Sequence, residues 1–410
     1  MTSFNMNTAV ELTKRLYPNG LEEMLYKKVP TYGVLSKWKS FGGEGKFLAW
    51  KYGTGGGGSS GFANAQANKG PSAFKRPFIT RVKEYALASL DGEFMEATEG
   101  DKNALAEAFK VAMDDAVYNV SRSVGFNLFR NGGGARARLA AATSGVGTAT
   151  VTLTSTSSMQ GIEPGMWLQA ASTDGTSGSV LAGKVQVSSV DRIAKTITAT
   201  STWNVSIPTV TDSYYLFRDG DFGNVIKGFQ AWLPDTAPAV GGGDSFFGVD
   251  RSSDSSRLAG LRYAPTGGTI QEILVAASAL AYDNTAEPDL VIVNPLDMAN
   301  LVNEVGSKAT IPIGTDKPSI GYKGIELYGA AGPMKIMADP ACQRYKAWML
   351  TSDTWEIWSL KDVPRILDRD GNQTLREANA DADELRLGGY LQMVCYNPGQ
   401  NVNITLPTSA

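Results

Sequence analysis

Lys46-Phe47-Leu48-Ala49-Trp50-Lys51-Tyr52, running into Gly53-Thr54-Gly55-Gly56-Gly57-Gly58-Ser59-Ser60-Gly61, is the stretch whose reading decides the fold. Its first part alternates and places Leu48, Trp50 and Tyr52 on one face of a strand. Its second part belongs to a glycine-rich tip, residues 53–70, which no local core could order. The return, residues 74–90, is again rich in β-formers and aromatics. Residues 41–90 therefore predict a long two-stranded ribbon with a glycine tip. At about 3.3 Å per residue it reaches roughly 25 Å or more. A two-stranded ribbon is marginal alone in water, so it needs a surface to lie on. A neighbouring subunit is the simplest one, and this points to assembly rather than catalysis.

The ribbon runs into a long amphipathic helix within residues 91–135. Asp101 can cap it, and Leu105, Phe109, Ala112, Met113, Ala116, Val120, Val124 and Leu128 recur at three- and four-residue spacing. Asn131-Gly132 closes it. At about 1.5 Å per residue the helix spans roughly 45 Å. Before the ribbon, residues 1–40 read as an arm. Thr8-Ala9-Val10-Glu11 opens one short helix as a capping box, and a second, over 21–28, stops before Pro30.

Composition then changes. Residues 143–217 are rich in Thr, Ser, Val and Gly, with short strands expected at 148–154, 166–170, 184–190, 195–200 and 214–217. Turns such as Asp174-Gly175 and Asp191-Arg192 divide them, the pattern of a small β-barrel or sandwich inserted between other elements. From about 225 the sequence alternates. A helix is expected over 269–282, a buried strand over 290–293 and a proline-opened helix over 295–305. Strands follow at 324–328, 334–338, 347–351, 354–359, 385–396 and 402–406. Residues 225–362 read mainly as one α/β domain, and residues 363–410 as a return to the strands of the first. The fold class is α+β.

The chain of 410 residues contains no histidine, which removes the usual general base near neutral pH and the commonest metal ligand. A Ser-His-Asp or Cys-His mechanism is excluded within one chain. Cys342 and Cys395 form no zinc pattern and read as small buried residues. A net charge of −3 gives no global pull towards nucleic acid or anionic membrane. No apolar run approaches a membrane span and no signal pattern opens the sequence, so a soluble product, intracellular at synthesis, is expected. No cofactor or metal site is expected, and no membrane partner.

Individual motifs yield no chemistry. Gly53-Thr54-Gly55-Gly56-Gly57-Gly58 fits a dinucleotide pattern on paper, but no helix with an apolar face and no Lys-Ser/Thr follows. Asp368-Arg369-Asp370-Gly371 has its glycine too early for a calcium loop. Asp114 and Asp115 point about 100° apart on a helix and cannot share a proton over one site. Asp381, Asp383 and Glu384 read as a polar loop. The ribbon interleaves Lys46, Lys51, Lys69, Lys75, Arg76, Arg81 and Lys83 with Trp50, Tyr52, Phe62, Phe74 and Phe78. Such a mixture serves single-stranded nucleic acid or a protein interface. The near-neutral charge elsewhere favours the interface, with Trp50, Lys51, Tyr52, Phe62, Lys69, Phe74, Lys75, Arg76 and Arg81 as candidate inter-subunit contacts.

The order of parts resembles the major capsid protein of tailed bacteriophages with the HK97 fold. The local text is similar too, at Phe62-Ala63-Asn64-Ala65-Gln66-Ala67-Asn68-Lys69 and at Thr80-Arg81-Val82-Lys83-Glu84-Tyr85-Ala86-Leu87-Ala88-Ser89-Leu90-Asp91-Gly92-Glu93. It continues at Asp244-Ser245-Phe246-Phe247-Gly248-Val249-Asp250-Arg251, at Asn294-Pro295-Leu296-Asp297 and at Pro364-Arg365-Ile366-Leu367-Asp368. The resemblance implies an icosahedral shell of pentamers and hexamers around double-stranded DNA, held without sequence-specific binding. Residues 1–40 would be the N-terminal arm, 41–90 the extended loop lying across a neighbour, and 91–135 the peripheral-domain spine helix. Residues 143–217 would be an inserted β-domain and 225–362 mainly the axial domain. The chain lacks the long helical extension that scaffolds some relatives, so a separate scaffolding protein is expected, with a portal and a decoration protein as further partners. An encapsulin-like compartment shares the fold, and a β-rich adhesion protein shares the composition. An enzyme would need Lys, Tyr or carboxylate catalysis, for which no constellation stands out.

Some relatives join a loop lysine to a neighbour's asparagine. Lys51, Lys69 and Lys75 lie in the loop, but no acceptor and assisting glutamate match. Subunits of mature particles are therefore expected to run as monomers on denaturing gels, and a ladder of linked subunits would overturn this.

Overall fold

Strand Ala382–Cys395 organises the first of three six-stranded sheets. Along one edge it pairs antiparallel with Val82–Asp91, from Ala382↔Asp91 to Leu391↔Val82. Along the other it pairs in turn with Thr374–Arg376, Arg365–Ile366 and Trp355–Ser359, the last of which pairs with Ser36–Trp38. The structure, a computed structural model, describes residues 29–93, 102–142, 144–154, 161–305, 325–367, 374–377 and 380–408. The two expected arm helices before Val29, Asp101, and the Asp368-Arg369-Asp370-Gly371 turn lie outside the described residues.

The expected long helix is Lys102–Leu128. Its Met113, Ala116 and Val117 pack on Leu385 and Leu387 of the first sheet, while Val120, Val124 and Leu128 enter the main core. The spacing that predicted the helix thus serves two layers, one after the other.

Residues 135–218 form the second sheet, in the order Ala135–Arg138, Tyr215–Arg218, Trp167–Ala171, Val185–Asp191, Thr196–Ala199, Thr150–Thr152. A bridge between Leu139 and Leu153 joins its first and last strands and closes it as a barrel. Leu139, Val151, Ile162, Leu168, Val187, Ile197, Trp203 and Leu216 fill the interior.

The third sheet has the order Leu261–Tyr263, Val402–Thr405, Lys346–Leu350, Leu290–Val293, Gly332–Ala338, Ile325–Gly329. Helices Ile270–Asp283 and Pro295–Val305 cover one face. Thr269 and Glu272 cap the first of them reciprocally. The other face joins the main core, where Phe229, Trp232, Trp348 and Trp355 meet edge to face or stacked.

Two strands cross the boundary that the sequence suggests. Trp355–Ser359 lies in the first sheet rather than the third, and Val402–Thr405 lies in the third rather than the first. Each follows a single 3₁₀ turn, Ser352–Thr354 or Pro398–Gln400, which is long enough to carry the chain into the next layer. Asn401 ties both crossings. Its Oδ1 accepts from Trp355 Nε1 at 2.8 Å and Thr351 N at 2.9 Å, and its Nδ2 donates to Thr354 Oγ1 at 3.2 Å.

The ribbon is shorter than expected and broken. Gly45–Phe47 pairs with Phe78–Thr80, and Trp50–Gly53 pairs with Ala73–Lys75. Between them sits Pro77, which has no N–H to give to the ladder; its carbonyl still accepts from Leu48 N at 3.1 Å. Beyond Thr80 the return strand leaves the ribbon and becomes Val82–Asp91 of the first sheet.

The barrel meets the rest of the chain through a buried charge network. Arg136 Nη2 donates to Asp221 Oδ2 and Ser123 Oγ, both at 3.0 Å. Arg218 Nη2 donates to Asp221 Oδ1 at 2.8 Å and to Glu84 Oε1 at 2.7 Å. Barrel strands, long helix and the strand leading out of the ribbon are thereby joined. Burial, with the Arg218 charge beside it, pulls Arg136 below the ordinary arginine value. Burial also opposes the charge of Arg218, but the carboxylates of Glu84 and Asp221 outweigh it and raise Arg218. Asp221→Ala leaves Arg136 buried without its counter-charge and is expected to cost about 3–5 kcal/mol in denaturant unfolding. Asp219→Ala, which frees only the exposed Lys184, is expected to cost less than about 1 kcal/mol.

Candidate inter-subunit surface

The nine candidate contacts separate into two groups. Trp50 turns inward and is only 3% exposed. Its indole donates to Cys395 O at 3.2 Å and meets Trp232 edge to face. Arg81 donates to the carbonyls of Phe41 and Gly43 and lies over the Phe41 ring. Tyr52 is half-buried, and its carbonyl accepts from Arg257 Nη1 at 2.6 Å. These three hold the ribbon's root to its own subunit. The surface that the ribbon needed is therefore supplied at the root by the same chain.

Lys51, Phe62, Lys69, Phe74 and Arg76 are exposed, with Phe62 at 85% and Phe74 at 54%. Lys75 is half-buried, its Nζ 6.0 Å from the Tyr52 ring centre. Phe47, which alternation puts opposite Leu48 and Trp50, is 58% exposed and belongs with this group. Its position out of phase with the buried residues was the available signal.

Most ribbon cations already sit on rings of the same chain. Lys46 lies 4.0 Å from the Trp38 centre, Arg76 5.1 Å from Phe47 and Arg81 5.0 Å from Phe41. Among the described residues, Lys51 and Lys69 have no ion pair or ring contact.

The tip is ordered in an unexpected way. A six-residue helix, Phe62–Ala67, follows the glycines and has no buried residue. Gly55 lies so close to the returning backbone that a Cβ would stand 1.7 Å from Gly70 O. The glycine there permits backbone-to-backbone contact rather than slack alone.

Elsewhere little chemistry is assembled. Among the described residues no cluster of three or more His, Cys, Asp or Glu could hold a metal, and no helix is long and apolar enough to cross a membrane. Both cysteines are free and buried; burial pushes Cys395 up to about 12 and Cys342 well above its ordinary value. Such thiols are inert.

No protein-family model matches the sequence, and no curated protein matches it. Solved structures do. The capsid asymmetric unit of cyanophage A-1(L) aligns over 93% of this chain and 93% of its own, at 12% identity and a TM-score of 0.50. The capsid of a native GTA particle aligns over 93% and 90%, at 9% identity and a TM-score of 0.46. A virus-like particle from Pyrococcus furiosus aligns over 94% and 95%, at 9% identity and a TM-score of 0.41. The cyanophage match shows that this chain has the fold of a phage capsid subunit, in agreement with the resemblance carried by its sequence.

The two groups of ribbon residues should respond differently to truncation. Trp50→Ala removes a core side chain and is expected to cost about 3–5 kcal/mol in the unfolding of the isolated subunit. Phe62→Ala and Lys69→Ala are expected to stay within about 0.5 kcal/mol of wild type in the same measurement.

Proposed function

We propose that this chain is the major capsid subunit of a tailed phage, a structural and non-enzymatic protein that closes into an icosahedral shell around double-stranded DNA. The fold shared end to end with a phage capsid subunit supports this reading. The observation that carries it furthest is the ribbon, clamped at its root by Trp50, Arg81 and Arg257 and bare at its tip. A helix of six residues is too short to stand alone in water. The exposed Phe62 and Phe74 on a rigid root suit a surface that another copy covers.

The working parts are assigned accordingly. Residues 54–72 form the loop that reaches a neighbour, and Lys102–Leu128 is the spine of the peripheral domain. The third sheet with its two helices is the core of the axial domain, and the barrel is the inserted domain. Assembly is mechanical. Each copy gives its loop and arm and receives those of its neighbours, so modest contacts multiply over five- and six-fold rings. A separate scaffolding protein, a portal and a decoration protein complete the particle, which forms in the host cytoplasm and becomes the virion shell.

The test is expression of the chain with its adjacent genes, followed by size-exclusion chromatography and negative-stain electron microscopy. Closed shells containing DNA are expected; a persistent monomer, or shells filled with protein cargo, would overturn the reading. A variant lacking residues 57–68 is expected to keep the unfolding midpoint of the isolated subunit and to lose closed shells.

A further inference from the structure

Arg130 lies just beyond the long helix, before the Gly132 turn into the barrel. Its guanidinium stacks 4.2 Å from the centre of the Phe126 ring, and the guanidinium of Arg136 is 5.5 Å from that centre. Its Nε is sealed from solvent and has no hydrogen-bond acceptor. The residue still keeps part of its surface exposed.

Two other arginines have a buried Nε without a hydrogen-bond acceptor, but each has a partner. Arg262 donates from its terminal nitrogens to the carbonyls of Gly260, Ser255 and Ala259, and the Nε of Arg344 itself stands 3.9 Å from the Asp297 carboxylate in an ion pair. Arg130 has no side-chain acceptor among the described residues. The nearby carboxylates are already engaged, Asp221 by Arg136 and Arg218, and Asp339 by Thr31 and the Ala341 N–H. Cys342 beside it is a buried neutral thiol. The junction therefore holds three guanidinium groups, Arg130, Arg136 and Arg218, against the carboxylates of Glu84 and Asp221. Burial, with Arg136 adjacent, lowers Arg130 to about 10 although Cys342 opposes the shift. In the isolated subunit this cation carries a desolvation cost with no ion pair to offset it.

We propose that Arg130 receives a carboxylate from a second copy of this chain during assembly, an inference that rests on the shell reading above. The chain has carboxylates to give. Residues 263–307 contain Glu272, Asp283, Glu287, Asp289, Asp297 and Glu304 and no Lys or Arg. Of these, Asp283 and Glu287 are exposed and have no ion pair among the described residues. A flat guanidinium with its face on an aromatic ring, in a residue still partly exposed, suits a charge-assisted contact with a carboxylate.

The test compares wild type with Arg130→Met, which keeps length and apolar contact with Phe126 but removes the charge. In the unassembled subunit the thermal midpoint is expected to be equal to wild type or higher, by up to about 4 °C. Shell yield under matched conditions is expected to fall by about tenfold or more, and Arg130→Lys to recover part of it. A lower midpoint for the unassembled Arg130→Met subunit would make Arg130 a support of its own chain and overturn the proposal. An unchanged or raised midpoint with wild-type shell yield would overturn it as well. Inorganic phosphate that raises the midpoint of unassembled wild type but not of Arg130→Met would assign the site to a free anion instead of a second copy. A wild type that forms neither rings nor shells would overturn the shell reading, and this inference with it.

Discussion

The rest of the structure depends on one antiparallel pairing, between Val82–Asp91 and Ala382–Cys395, strands that lie about three hundred residues apart in sequence. One face of the pair, through Ala86, Ala88, Leu385 and Leu387, is the seat of the long helix. Its upstream end is the root from which the ribbon departs, and its Glu84 is the outer member of the charge network that holds the barrel. Helix, ribbon and barrel therefore take their directions from the same backbone ladder. Slipping that ladder by one residue would turn Leu385 and Leu387 to the wrong face and remove Glu84 from Arg218. Register is specified here by two chemistries together, apolar packing on the helix and a buried ion pair.

The ribbon shows how a basic and aromatic sequence can be internal in purpose. Lys46 over Trp38, Arg76 over Phe47 and Arg81 over Phe41 each place a cation on a ring of the same chain. Such contacts are worth about 0.5–1 kcal/mol at exposed sites, and several in series stiffen a two-stranded ladder that would otherwise be marginal. The apolar ends of Phe62 and Phe74 remain outside the arrangement. Stiffness at the root and bareness at the tip are thus two results of one sequence pattern.

Much of this was legible in the sequence, for reasons that are local. The three- and four-residue spacing from Ala112 to Leu128 fixed the long helix. The apolar run over 269–282, and Pro295 at a first turn, indicated two more. The Thr- and Val-rich strands between frequent turns indicated a small barrel or sandwich, and the Leu139–Leu153 bridge decides between the two. What could not be read was non-local. A strand's periodicity does not name its sheet, and a 3₁₀ turn of three residues sufficed to send Trp355–Ser359 and Val402–Thr405 into layers other than their neighbours'. Alternation put Trp50 on one face of its strand with Leu48 and Tyr52, but whether that face meets its own chain or another depends on Trp232 and Cys395, far away in sequence. For the same reason Arg130 carries no signal. Its lack of a partner emerges only when Arg136, Asp221 and Asp339 are placed around it.

The joint between barrel and body is ionic where it could have been apolar, and the choice has a physical consequence. A greasy joint of similar volume would often be at least as stable, because burying Arg136, Arg218, Glu84 and Asp221 has a desolvation cost. It would also tolerate sliding, since apolar contact is non-directional. The network does not. Arg218 must reach Glu84 of the first sheet while Arg136 reaches Ser123 of the long helix, Asp221 holding the two guanidinium groups in place, and a small rotation of the barrel breaks both outward bonds at once. The backbone enforces the same limit. At Gly133 an added Cβ would stand 2.1 Å from Asp174 O, so the barrel loop rests directly on the turn between the long helix and the first barrel strand. The joint exchanges some stability for a single orientation of the barrel on the body.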